Sequence, residues 1–174
     1  MSDLHQSIET SEKKKTLFNL WIELMSLKKD NYKSSDKKIM NFAIRLAENN
    51  KYLTGTNPSV GCVIVKNNEI LSFATTNNGG RPHAESIALN KNRYNNGTSL
   101  YSTLEPCSHH GITPPCTNAI IKNKVKKVYY SIEDKDLRSF NKTKKILKSK
   151  KIVAISGLQK RNVKNLYNCL LYTS

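Results

Sequence analysis

The stretch "SLYSTLEPCSHHGITPPCTNAIIKNK", residues 99–124, connects a strand to a helix through a loop rich in metal-binding side chains. Its first six residues form an apolar, β-prone run, and its last eleven begin with prolines that suit the first turn of a helix. The loop between them holds Cys107, His109, His110 and Cys116. A structural zinc site would use all four, whereas a catalytic site would use fewer and leave one position open.

Strand and helix patterns alternate on both sides of this stretch. From residue 34 a helix and two strands are predicted, and after them helices and strands alternate to the end. The predicted helices cover 34–50, 83–92, 114–124, 141–150 and 159–172. The predicted strands cover 59–65, 69–76, 99–104, 126–132 and 151–156. Helices that alternate with strands indicate one sheet covered on both faces. The first two strands form a hairpin, so the sheet is mixed. The sequence therefore predicts an α/β fold, a three-layer αβα sandwich with a mixed five-stranded sheet.

The 174 residues, 37% hydrophobic and 24% charged, are typical of one globular domain. No apolar run approaches the roughly 18 residues of a membrane span, and the first residues lack the apolar segment of a signal peptide. We therefore expect a cytoplasmic protein without a membrane partner.

We divide the chain into a polar extension, 1–34, and a domain, 35–172. The extension contains one amphipathic helix, which we expect to pack on the domain or on another subunit; its apolar residues at helical spacing are Leu17, Leu20, Trp21, Leu24 and Leu27.

The formal net charge of +16 is compatible with a polyanion partner. The excess is almost entirely lysine, scattered along the chain and interleaved with asparagine, whereas phosphate recognition favours arginine forks. We therefore expect a small phosphorylated substrate rather than a nucleic acid. The four cysteines do not form a disulfide framework; Cys62 and Cys169 are interpreted as apolar packing residues.

A second loop supplies another candidate ligand. The segment "NNGGRPHAE", residues 77–85, follows a predicted strand and places His83 and Glu85 at the start of a helix. Loops at matching ends of neighbouring strands meet over one site, so His83 can join Cys107 and Cys116. One imidazole and two thiolates would hold zinc and leave its fourth position for water.

This combination matches the signature of zinc nucleobase deaminases, which is His-x-Glu followed by Pro-Cys and a second Cys. Zinc lowers the pKa of its water, and Glu85, which is close by but not a ligand, would take the proton of that water. Glu85 would then deliver protons to the ring nitrogen and the departing amine, so that ammonia leaves.

The spacing between the two cysteines and the surrounding motifs resemble one family. These motifs are "TNPSVGCVIV" at 56–65, "GGRPHAE" at 79–85 and "LYSTLEPCSHH" at 100–110. Over about 36–170 the chain resembles the diaminohydroxyphosphoribosylaminopyrimidine deaminase domain of bacterial bifunctional riboflavin biosynthesis enzymes. The resemblance implies a cytidine deaminase-like fold and hydrolytic loss of an amine from a pyrimidine that carries a ribose phosphate.

The resemblance also implies roles for individual residues. It makes His83, Cys107 and Cys116 the zinc ligands and Glu85 the proton shuttle. Asn57 corresponds to an asparagine that contacts the pyrimidine. The histidines His109 and His110 belong to an insert that shapes the pocket instead of binding metal, which favours an open site, and His109 is predicted to contact the substrate.

Three positions depart from the family pattern. A basic residue that helps to hold the substrate is Ile112 here, a histidine upstream of "PHAE" is Thr76, and the stretch at 134–137 reads "DKDL". These departures predict weaker substrate contacts unless lysines elsewhere compensate. The reductase half of the family is absent from this sequence, which fits either a separately encoded reductase as a partner or an incomplete reading frame. We also expect a homo-oligomer.

Two other functions fit part of the pattern. A tRNA adenosine deaminase, or another nucleobase deaminase, would use the same chemistry, and the basic charge favours a tRNA substrate. The eight-residue cysteine spacing and "SHHGITPP" count against it. A degenerate zinc-stabilised RNA-binding module would have no use for the carboxylate of Glu85.

Overall fold

The computed structural model describes residues 32–136, 138–139 and 142–171. The amphipathic helix predicted in the N-terminal extension lies outside these residues and stays a prediction. The division of the chain at residue 34 stays a prediction as well.

The described residues form five α-helices and five strands in the predicted order, together with one short 3-10 helix, Asn78–Gly80. The helices are α1 (Ser34–Asn49), α2 (Ala84–Lys91), α3 (Cys116–Lys122), α4 (Lys142–Ser149) and α5 (Lys160–Leu171). The strands are β1 (Gly61–Lys66), β2 (Glu69–Thr75), β3 (Ser99–Leu104), β4 (Lys127–Ile132) and β5 (Val153–Ser156). The bounds lie close to those predicted, because apolar periodicity and turn residues mark them in the sequence.

The five strands form one mixed sheet in the order β2-β1-β3-β4-β5. Strand β1 is antiparallel to both β2 and β3, whereas β3, β4 and β5 are parallel. Helices α1 and α5 contact each other on one face, and α3 contacts both α2 and α4 on the other. The α/β fold class and the mixed five-stranded sheet are confirmed. None of the described helices has both the length and the hydropathy that crossing a membrane requires.

The central strand β1 is buried on both faces. Cys62 and Ile64 belong to the apolar cluster that α2 and α3 cover, while Val63 and Val65 alternate to the opposite face. At Gly61 an added Cβ would overlap the carbonyl of Ala43, so glycine lets α1 approach the strand closely. Cys62 is fully buried, which confirms its packing role. The side chain of Cys169 lies outside the described residues.

The topology places several loops at one edge of the sheet, which we call the carboxyl edge. The carboxyl ends of the parallel strands β3 and β4 lie there, together with the start of β1 and the end of β2. Open α/β sheets bind ligands at such an edge. The segments that follow β2, β3 and β4 carry most of the predicted site residues.

Candidate zinc site and substrate cavity

Three predicted ligands converge at the carboxyl edge. His83 immediately precedes α2, Cys107 lies in the loop after β3, and Cys116 is the first residue of α3. The Nδ1 atom of His83 lies 3.5 Å from the Sγ of Cys107 and 3.4 Å from the Sγ of Cys116. All three ligand atoms lie within 4.8 Å of one another. The structure therefore brings together residues that are far apart in sequence.

These distances fit a tetrahedral zinc ion. With Zn–N near 2.0–2.1 Å and Zn–S near 2.3 Å, tetrahedral angles separate the nitrogen from each sulfur by about 3.5 Å. Two thiolates and one imidazole form a donor set that suits zinc. Because only three ligand atoms converge among the described residues, a fourth position would be left for a water or a substrate atom.

The environment of Cys107 favours its thiolate. The neighbouring Cys116 and the nearby His83 lower the pKa of Cys107 below its ordinary value, because both stabilise the charged form. The backbone N–H of Cys116 also donates to Cys107 Sγ over 3.2 Å. A thiolate is the form that binds metal, so this cluster is prepared to receive a cation.

Glu85 is buried beside the cluster without belonging to it. Its side chain is 3% exposed, and Ser102 Oγ donates to its Oε1 over 3.0 Å. The Cys116 thiol lies 3.6 Å from its Oε2. Burial raises the pKa of Glu85, because water is excluded from the charged form. A carboxylate of raised pKa next to a metal site is suited to proton transfer.

A cavity of about 230 Å³ opens onto these residues. His83, Glu85 and Cys107 form part of its wall, and the predicted substrate contacts Asn57 and His109 also line it. The amide of Asn57 lies directly against Gly80, where an added Cβ would overlap it. Gly80 has φ +88°, a conformation that favours glycine, so this turn makes the space that Asn57 occupies.

The two histidines of the loop differ. His109 lines the cavity and its Nδ1 lies 2.8 Å from Ser139 Oγ, while its Nε2 is 4.0 Å from an oxygen of Asp136. His110 is exposed and is not part of the cavity wall. Neither belongs to the metal-ligand cluster of the described residues, and the expectation that they do not bind metal stays a prediction.

The departures from the family pattern have different structural settings. Thr76 lines the cavity, but its Oγ1 accepts from the backbone N–H of Val60 over 2.9 Å and therefore ties the residue before β1 to the residue after β2. Ile112 is 88% exposed and lies outside the cavity wall. Asp136 lines the cavity and pairs with Arg138 over 2.6 Å. The expected weakening of substrate contacts stays a prediction.

Three residues of the wall were missed in the sequence. Arg81 and Arg138 line the cavity, and Glu105 accepts the backbone N–H of Asp134 through its Oε2 over 3.1 Å. Glu105 thus ties the loop after β3 to the loop after β4. The one signal in the sequence was position: Arg81 stands two residues before a ligand, and Glu105 stands two residues before another.

Known proteins resemble this chain in both sequence and fold. Residues 33–132 match the family model of the cytidine and deoxycytidylate deaminase zinc-binding region. The chain is 39% identical over 127 residues to a diaminohydroxyphosphoribosylamino-pyrimidine deaminase of Buchnera aphidicola subsp. Schizaphis graminum, which covers 72% of this chain and 86% of that protein. It is 44% identical over 100 residues to the riboflavin biosynthesis protein RibD of Aquifex aeolicus, which covers 57% of this chain and 28% of that protein.

A solved structure of Acinetobacter baumannii RibD superposes with a TM-score of 0.75 at 37% identity, over 79% of this chain and 39% of that chain. The chain thus spans less than a third of the Aquifex relative and well under half of the Acinetobacter one. The matched family is a zinc-binding one, which confirms the predicted cofactor. By sequence and by fold, the chain belongs to the cytidine and deoxycytidylate deaminase family of zinc-binding domains.

Proposed function

We propose that this chain is the zinc-dependent deaminase of riboflavin biosynthesis, which hydrolyses an amine from diaminohydroxyphosphoribosylaminopyrimidine. The observation that carries the proposal is the meeting of His83, Cys107 and Cys116 beside the buried carboxylate of Glu85, at the wall of a cavity. A purely structural zinc site needs neither the carboxylate nor the cavity. The Buchnera relative, named for this activity, supports the choice of substrate.

In this proposal His83, Cys107 and Cys116 hold the zinc ion. Bound there, zinc would supply a water molecule whose pKa is lowered toward about 7. Asn57 and His109 line the cavity and orient the pyrimidine, with the carbon that carries the amine turned toward Glu85. Placing the reacting carbon in this way is itself a large part of catalysis.

Glu85 moves the protons. It accepts one from water at a carboxylate oxygen as the water oxygen forms a bond to the ring carbon. It delivers this proton to the ring nitrogen, accepts a second proton from the hydroxyl now on the ring carbon, and passes it to the amine. The C–N bond then breaks, and a carbonyl and ammonia remain. Ser102 holds one carboxylate oxygen, so the other is directed toward the cluster.

A tRNA adenosine deaminase is the second candidate, and one surface feature favours it. Exposed lysines line a shallow depression at the opposite edge of the sheet, and RNA backbones bind such surfaces. The same residues at the zinc site would serve that reaction, so the choice of substrate separates the two candidates.

Three further expectations belong to this proposal. They are a homo-oligomeric state, a reductase activity as the partner in the pathway, and a cytoplasmic location. The location is supported by the thiols of Cys107 and Cys116, which remain available as metal ligands in a reducing compartment.

The test is ammonia release by zinc-loaded protein from four substrates: the phosphoribosylated diaminopyrimidine, cytidine, guanine and tRNA. We expect release from the first alone, and its loss after chelation followed by recovery with added zinc. Metal-free protein serves as the control for chemical hydrolysis. Release from tRNA but not from the pyrimidine would replace this proposal with the second candidate.

A further inference from the structure

Two arginines line the substrate cavity, and they differ in their partners. Arg138 donates from Nε and Nη2 to the two carboxylate oxygens of Asp136, over 2.6–3.0 Å. This bidentate pair lowers the pKa of Asp136 well below its usual range. The charge of Arg138 is therefore largely neutralised within the protein.

Arg81 has no carboxylate partner among the described residues. Its Nη1 donates to Thr113 Oγ1 over 3.0 Å and lies 3.3 Å from Nε2 of His83. Both contacts are to uncharged or weakly basic groups, and the residue is half-buried in the cavity wall. A guanidinium has five N–H donors, so several of them remain available to a ligand.

The contact with His83 is weaker still once Nδ1 binds a metal. A guanidinium can only donate, so Nε2 of His83 accepts from Arg81 only while Nδ1 carries the ring proton. Coordination through Nδ1 moves that proton to Nε2, and two donors then face each other. With zinc bound, this contact would no longer satisfy the guanidinium, and its donors would be available to an acceptor in the cavity.

Arg81 also lies beside the loop that contains Ile112. Its Nη1 binds Thr113, and its Nη2 would lie 3.7 Å from a Cβ added at Gly111. The side chain of Ile112 offers neither charge nor hydrogen bond. Carboxylates also line the cavity, including Glu105 and Asp134, so an anion would be repelled without an unpaired cation.

We propose that Arg81 binds the phosphate of the substrate through its guanidinium fork. The inference rests on the proposed function for the identity of the substrate, and on the unpaired guanidinium for the anion subsite itself. Arginine suits this role because its planar fork matches phosphate in a bidentate way. Arg81, which directly precedes the "PHAE" motif, then supplies the positive charge that Ile112 lacks.

The test compares Arg81→Gln, Arg81→Lys and a matched control, Arg93→Gln, which removes an exposed arginine outside the cavity wall. Titration calorimetry with inorganic phosphate measures binding to zinc-loaded protein, and zinc content is measured for each variant. We expect Arg81→Gln to weaken phosphate binding at least about tenfold, Arg81→Lys to weaken it less, and Arg93→Gln to leave it unchanged. Arg81→Gln should raise KM for the pyrimidine with a smaller effect on kcat.

Three results would overturn this role of Arg81. They are phosphate binding by Arg81→Gln that equals that of the unaltered protein, no measurable phosphate binding by the unaltered protein, or a loss of zinc in Arg81→Gln that accounts for its KM. The proposed function fails separately. If the unaltered protein binds phosphate through Arg81 but releases no ammonia from the pyrimidine, the anion subsite stands and the substrate is a different phosphorylated compound.

Discussion

The two edges of the sheet hold their polar groups in different ways. At the carboxyl edge the reactive side chains are desolvated and have defined partners: Ser102 donates to Glu85, and the backbone of Cys116 donates to Cys107. At the opposite edge lies a group that we call the lysine cluster, which lines a shallow depression and is exposed to water. It comprises Lys124, Lys126, Lys150 and Lys151. Within the described part of the chain, none of these four ammonium groups has a carboxylate partner.

This difference indicates that the reaction of a basic protein depends on its buried, partnered groups and not on its exposed charges. Charges in water are screened over about 10 Å at 0.1 M salt, so the lysine cluster attracts anions weakly and without selectivity. Buried, partnered groups hold their positions and have shifted pKa values, which is what chemistry requires. The net charge of +16 therefore indicates less about the reaction than the four site residues at the carboxyl edge do, which are His83, Glu85, Cys107 and Cys116.

The largest expected effect is the loss of metal from the carboxyl edge. Cys107→Ser and Cys116→Ser should each lose the single zinc ion and become less stable, because the two thiolates tie separate loops to the core. Zinc content and thermal unfolding measure this. Cys62→Ala is the matched control, since Cys62 packs in the core and should leave zinc content unchanged. Full zinc in Cys116→Ser, together with its loss in His110→Ala, would reverse the assignment of ligands.

The next effect concerns Glu85. Glu85→Gln is nearly isosteric but cannot accept a proton, so we expect it to keep zinc and fold while turnover falls at least about a hundredfold. Steady-state ammonia release measures kcat. Glu69→Gln, the same change at an exposed position, should not alter it. Turnover near that of the unaltered protein would remove Glu85 from the mechanism.

A smaller effect should follow from releasing the paired arginine of the cavity. Asp136→Asn removes the charge that neutralises Arg138, so phosphate should bind more tightly, by up to about fivefold for a partly exposed pair. Calorimetry with inorganic phosphate measures this change, and Glu48→Gln controls for net charge. Weaker binding in Asp136→Asn would show that the aspartate supports the anion subsite instead of competing for Arg138.

The smallest effect is expected at the lysine cluster. Replacing all four lysines by glutamine should leave ammonia release from the pyrimidine within about twofold and abolish a weak, salt-sensitive binding of RNA. Filter binding over a range of salt concentrations measures the second quantity. A nanomolar tRNA complex that persists at physiological salt and disappears in this variant would show that the lysine cluster binds a specific partner. That result would favour the second candidate, a tRNA adenosine deaminase.

Much of the fold could be predicted because its signals are local. Alternating apolar residues mark β1, prolines mark the start of α3, and the hairpin of β1 and β2 makes the sheet mixed. The approach of His83 to Cys107 and Cys116 also followed from the sequence, because loops at one edge of a sheet meet.

The rest of the site could not be predicted, because it depends on which side chains face each other after packing. Nothing in the sequence distinguishes Arg138, which pairs with Asp136, from Arg81, which does not. Ser102 is one residue of an apolar strand, and its contact with Glu85 exists only because α2 packs on the sheet. The exposure of Ile112 is likewise set by the path of its loop.

The central claim is an open zinc centre with three protein ligands at the carboxyl edge, and zinc X-ray absorption tests it most directly. For zinc-loaded protein we predict two sulfurs near about 2.3 Å, one imidazole, and one light atom from water near about 2.0 Å. Cys116→Ser, if it retains any metal, should lose one of the two sulfurs. Two sulfurs with two imidazoles would show that His109 or His110 closes the site, and a site closed by four protein ligands would contradict the account.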